Sequence, residues 1–152
     1  MYLDTFTLPI DFEEPMIQKQ CERNGGIYGY IDNTYPCRMF GNRELYEISF
    51  KNVTIFYGGN GSGKSTLLNL IAQKLELNRI APFNSSELFD EYVKNCEYSL
   101  GYDDEGFKHK IPDGSRIITS DDIFDYMLTI RTNNDEISEK KDIARDEYGA
   151  LK

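Results

Sequence analysis

Ten consecutive residues, Tyr57-Gly58-Gly59-Asn60-Gly61-Ser62-Gly63-Lys64-Ser65-Thr66, constrain this chain more than any other stretch. They fit the spacing G-x-x-x-x-G-K-[ST], with Gly58, Gly63, Lys64 and Ser65 at the required places. Glycines without a Cβ let the backbone turn tightly and aim successive N–H groups into one small volume. Before the loop, Val53-Thr54-Ile55-Phe56-Tyr57 is apolar, β-branched and aromatic, which predicts a short buried strand. After it, Leu67, Leu68, Ile71, Ala72 and Leu75 recur at helical spacing, which predicts a helix from Lys64 to about Leu77. Strand, glycine loop and helix in that order form a cradle for a phosphate chain.

The residue types explain what such a cradle holds. A nucleoside triphosphate crowds several negative charges together, and a protein competes with water for them through inward N–H groups and the positive end of a helix. The whole run Gly58, Gly59, Asn60, Gly61, Ser62, Gly63, Lys64, Ser65 and Thr66 is therefore the candidate binding site for ATP. Lys64 is expected to reach the β and γ phosphates as a point charge, and the Ser65 hydroxyl to ligate Mg²⁺.

Composition limits the remaining classes. With 152 residues the length suits one domain, and 39% hydrophobic and 28% charged residues suit a globular one. The net charge of -9 argues against a broad nucleic-acid surface on this part of the molecule, leaving nucleic acid to a partner or to a region outside it. No apolar run approaches the roughly 18 residues of a membrane span, and Met1 to Ile10 has no signal-peptide core. Cys21, Cys37 and Cys96 are far apart and form no C-x-x-C pair, which predicts free thiols and a cytoplasmic protein.

Along the chain, residues 1–50 read as mainly β. Leu3, Thr5, Phe6 and Thr7 suggest a strand stopped at Pro9. Asn24-Gly25-Gly26 is a turn signal, and Met39 to Arg43 a hairpin turn entering the alternation Tyr46, Ile48, Phe50. Residues 51–80 hold the loop with its strand and helix. Residues 81–152 read as mainly helical. Pro82 marks a connection, and Asn84 with Glu87 predicts a helix start before Leu88, Phe89, Tyr92, Val93 and Cys96. Tyr102 to Lys110 predicts an exposed hairpin, Arg116 to Thr119 a short strand, and Thr119 with Asp122 a capping box opening a helix through Ile130. From Asp135 charge dominates, with Ile137, Ala144, Tyr148 and Leu151 as a thin apolar stripe on a last helix.

The wording Ile55 to Leu68 resembles ABC-type ATPases, and most closely the AAA-family ATPases related to chromosome-maintenance and recombination-repair ATPases. Arg116-Ile117-Ile118-Thr119-Ser120-Asp121-Asp122-Ile123-Phe124-Asp125-Tyr126 is similar to a stretch in small bacterial members of that group. The resemblance implies an α/β fold, a P-loop NTPase lobe with an adjoining antiparallel β-sheet and C-terminal helices. It also implies ATP and Mg²⁺ as cofactors, and head-to-head dimerisation or pairing with a partner ATPase half. The chain departs from the pattern by lacking the signature segment and the apolar strand ending in Asp and a catalytic Glu. It therefore reads as a single N-terminal lobe, residues 1–152, of a longer ATPase whose catalytic second half is absent, and a naturally short product fits equally. By the resemblance Asp121, with Asp122 or Ser120 as alternatives, is a candidate contact to Mg²⁺ or the attacking water, and helix capping is the simpler role. Tyr35 stands where ABC transporters stack adenine, against packing as its simpler role.

Two other classes share the loop. A small kinase needs a cluster of lid arginines, and beyond residue 80 only Arg116, Arg131 and Arg145 occur. A non-hydrolysing nucleotide-binding or regulatory module acting with a partner ATPase shares every feature except turnover.

Overall fold

The chain is seen here in a computed structural model, which describes residues 2–24, 34–80, 83 and 85–150. It is a small α/β protein. Three strands, β1 (Leu3–Thr7), β2 (Glu47–Ser49) and β3 (Glu97–Leu100), form an antiparallel sheet in the order β2-β1-β3. Phe6 stands opposite Ile48 on one side and Tyr98 on the other, and its side chain is completely buried. Helices α1 (Glu14–Arg23), α2 (Lys64–Lys74) and α3 (Glu87–Asn95) belong with this sheet, and a 3₁₀ turn covers Gly41–Arg43.

The core forms because each helix presents one apolar face. Helix α3 packs against both α1 and α2. It buries Leu88, Phe89, Tyr92 and Val93, while α1 contributes Ile17 and Cys21, and α2 contributes Leu67, Leu70 and Ile71. Spacings of three and four place these residues on a single stripe. The N-cap of α3 is Ser86, whose Oγ accepts from Phe89 N at 3.1 Å. The expected cap at Asn84 lies outside the described residues, as do Pro82, Gly25, Gly26 and Ile27 to Ile31.

The chain divides into two compact units, residues 1–78 with 83–117, and residues 79–82 with 118–152. The second holds α4 (Ser120–Ala150), a single helix where the sequence suggests two. Its start is the expected capping box. Thr119 N donates to Asp122 Oδ2 at 2.7 Å, and Asp122 N donates back to Thr119 Oγ1 at 3.4 Å. Among the described residues no helix is long and apolar enough to cross a membrane.

Several expectations are corrected. Glu14–Arg23 is a helix inside a stretch read as mainly β. Pro15 sits in its first turn, where the missing N–H costs nothing, and Ile17 and Cys21 are buried one turn apart. Strand β3 follows directly on α3, where the sequence shows only a helix and a later hairpin. That later hairpin is present as a Tyr102–Lys108 bridge. Arg116 makes one isolated parallel bridge to Asn78 and no strand. The largest correction concerns Val53–Tyr57, which belongs to no strand and no sheet. Val53, Ile55 and Tyr57 are 79%, 82% and 100% exposed. Only Phe56 turns inward, its ring edge-on to Phe50 at 6.2 Å. Strand chemistry is present there, and the neighbouring strands that would hydrogen-bond it are not among the described residues.

Candidate functional site

The glycine loop runs from the end of this segment into the first turn of α2. Its last glycine, Gly63, has φ of 88° and is the N-cap of the helix. A Cβ there would be strained by the dihedral, which favours glycine, and would also crowd the Phe40 ring at 3.2 Å. Gly61 takes the same left-handed conformation, with φ of 73°.

Gly63 has no side chain, so nothing caps α2 from within. Leu67 N is the first amide to find a helical acceptor, at Gly63 O. Among the described residues the amides of Lys64, Ser65 and Thr66 donate to no acceptor, which leaves a positive helix end open at the loop.

Lys64 folds back over the loop. Its Nζ donates to Gly58 O and Gly59 O, both at 2.8 Å, and to Ser62 Oγ at 3.0 Å. Three oxygens from the same short loop hold one ammonium, so the charge is centred within the loop's curve. Ser62 N donates to Gly59 O at 3.3 Å and tightens the turn. Arg43, on the 3₁₀ turn, donates from Nη1 to Ser62 O and brings a second cation to the loop. The sequence alone does not single out Arg43. Its only signal is a basic residue in a glycine-containing turn, which is common on surfaces.

The other expected residues divide by environment. Ser65 lies beside Lys64 and lines an open groove of about 580 Å³ with Thr54, Ile55, Phe56 and Leu68. Asn60 and Gly59 are exposed, and a Cβ at Gly59 would meet only open space. Thr66 faces the other way. It is 8% exposed and its Oγ1 accepts from Tyr35 Oη at 3.1 Å, so its hydroxyl serves packing. Tyr35 stacks on Phe89 with ring centroids 5.7 Å apart. That contact is the packing role, and it occupies one face of the half-buried Tyr35 ring.

Asp121 belongs to the other compact unit, on α4, and its side chain is outside the described ones. Asp122 is used in the capping box with Thr119. Among the described residues no three His, Cys, Asp or Glu side chains gather as a metal site. Ser65 therefore stands without a described carboxylate cluster to share a cation.

Burial makes the thiols of the core weaker acids. Desolvation pushes Cys37 up to about 11 and Cys96 up to about 12, and all three cysteines are free and buried. Such thiols are poor nucleophiles at neutral pH, which removes them as catalytic candidates. The chain matches no protein-family model, no curated protein and no solved structure.

Proposed function

We propose that the chain binds ATP with Mg²⁺ through Gly58 to Thr66, as the nucleotide-binding lobe of an ABC-type ATPase of the cytoplasm. The observation that carries the reading is the posture of Lys64. Its ammonium lies inside a loop of small residues, next to an uncapped helix start with three undonated amides. An anion entering the loop replaces carbonyl partners of modest charge with phosphate oxygens, and finds the amides already oriented. Arg43 adds a second cation at the rim. The donor set fits a polyphosphate. For Mg²⁺ the chain offers the Ser65 hydroxyl, and the phosphates themselves would supply further oxygens.

Binding without efficient hydrolysis is the expected behaviour of this chain alone. Phosphoryl transfer to water needs an in-line nucleophile oriented by a base, besides charge neutralisation. Lys64, Arg43 and the amides serve neutralisation only. Asp122 is committed to its cap, and Asp121 lies on the same helix start. Turnover then requires a partner ATPase half or a second copy of the chain.

A thermal-shift titration tests the reading. Mg-ATP at 100 times its dissociation constant should stabilise the protein by about 2.7 kcal/mol, raising the melting temperature by several degrees. Lys64→Ala should abolish the shift. Phosphate release by the intact chain should not exceed that of Lys64→Ala. An unshifted melting temperature with Mg-ATP refutes the binding reading, and steady Mg-dependent release lost in Asp121→Asn refutes the non-hydrolysing one.

A further inference from the structure

Buried polar groups nearly always find partners, so the exceptions ask for a reason. Among the described residues two buried side-chain atoms have none, Glu14 Oε1 and Tyr92 Oη. Glu14 is the sharper case, because a carboxyl costs more to bury than a phenol. It is 4% exposed in the first turn of α1, and desolvation holds it above the ordinary value of 4.5. Asp11 lines a cavity of about 310 Å³ together with it, and its like charge pushes the same way. The Arg38 N–H pulls against both.

The one bond that Glu14 makes shows what its burial achieves. Its Oε2 accepts from Arg38 N at 2.8 Å. Arg38 has φ of 64°, a left-handed conformation that is costly for a residue with a side chain and persists where its surroundings fix it. The residues on either side of Arg38 carry the glycine loop. Tyr35 Oη donates to Thr66 Oγ1 at 3.1 Å, and Arg43 Nη1 donates to Ser62 O. Between them, Met39 and Phe40 lie against Gly63, where a Cβ would meet their side chains at 3.7 and 3.2 Å. Neither oxygen of Glu14 bonds to the loop itself. We infer that Glu14 is a positioning residue for the glycine loop, its buried carboxyl fixing through Arg38 N the turn on which Ser62, Gly63 and Thr66 rest. Its effect on affinity rests on the nucleotide reading of the loop; its effect on the loop's conformation does not.

Variants of similar size separate an acceptor from mere filling. Glu14→Met fills the site and leaves Arg38 N unpaired, while Glu14→Gln keeps an oxygen for that N–H and loses the charge. Glu14→Ala is the second acceptor-free variant, should Glu14→Met not fold. Ile17→Val lowers stability from the same helix and serves as the control. In nucleotide-free protein the amide NMR signals of Gly61, Gly63 and Leu67 should shift or broaden in Glu14→Met, and stay in place in Glu14→Gln and Ile17→Val. The dissociation constant for Mg-ATP should rise at least about tenfold in Glu14→Met and stay within about twofold in the other two. Loop signals that stay in place without the acceptor overturn the inference. So do signals that move as far in Glu14→Gln or Ile17→Val. A wild-type chain that ignores Mg-ATP refutes the nucleotide reading instead, and the loop signals then decide the role of Glu14 by themselves.

Discussion

Leu3–Thr7 and Val53–Tyr57 are five-residue segments of similar look, and the weaker strand sequence is the one that became a strand. All five residues of Val53–Tyr57 are β-branched or aromatic, against three of five in Leu3–Thr7, which also holds Asp4. Yet Leu3–Thr7 is the centre of the sheet, hydrogen-bonded to β2 and to β3, with Phe6 fully buried. Val53–Tyr57 has exposed Val53, Ile55 and Tyr57, an inward Phe56, and no ladder. Strand formation is a property of neighbours more than of residues, because each backbone N–H and C=O needs a partner and each side chain needs a face to pack on.

The difference should be largest in the response to truncation. Phe6→Ala removes a fully buried ring at the middle of the sheet, and should cost about 3–5 kcal/mol in urea unfolding. Ile55→Ala, at a residue 82% exposed, should stay within about 0.5 kcal/mol. A large loss at Ile55 would mean that this segment is packed in solution, and would restore it to a sheet.

Much of this contrast is out of reach in the sequence. The loop, the helix after it, the first strand and the Thr119–Asp122 cap are legible because each is decided within a few residues, by glycine, by period or by a capping pair. Helix α1 is not, because its polar run Gln18-Lys19-Gln20 separates two buried positions that are hard to read as one stripe. Strand β3 has only Tyr98 and Leu100 as apolar signals, and it exists because β1 lies beside it. In the candidate site, the glycines and Lys64 are legible from spacing. Arg43 is not, since its contact with Ser62 O joins residues nineteen apart through a turn. The motif spacing offers Thr66 as a ligand contact, and only the tertiary position of Tyr35 turns its hydroxyl inward.

Alkaline pH should weaken the packed region selectively, since Cys37 and Cys96 lie in its core. Burial raises both thiols from an ordinary value of 9.0, to about 11 and about 12. The folded state therefore holds its protons more firmly than the unfolded state does. The stabilising contribution is full below about pH 9 and is lost as pH climbs through the folded values. Urea midpoints should fall as pH rises from about 9 towards about 11, and Cys37→Ala with Cys96→Ala should flatten the fall. An equally steep fall in the double variant would assign it to other groups.

The smallest expected effect separates the two capped helices. Ser86 caps α3, whose next turns bury Leu88, Phe89, Tyr92 and Val93 against α1 and α2. Fraying that start loosens core side chains, so Ser86→Ala should cost about 1 kcal/mol of global stability. Thr119 caps α4 with comparable geometry, its N–H and hydroxyl both 2.7 Å from Asp122 Oδ2. The residues from Ile123 to Lys141 are exposed, so fraying there releases no core contact. Thr119→Ala should therefore lower the helical signal in circular dichroism slightly while leaving the main urea transition where it was. If Thr119→Ala moves that transition as far as Ser86→Ala does, α4 unfolds together with the sheet and its helices. The contrast between a cap over packed residues and a cap over bare ones would then be lost.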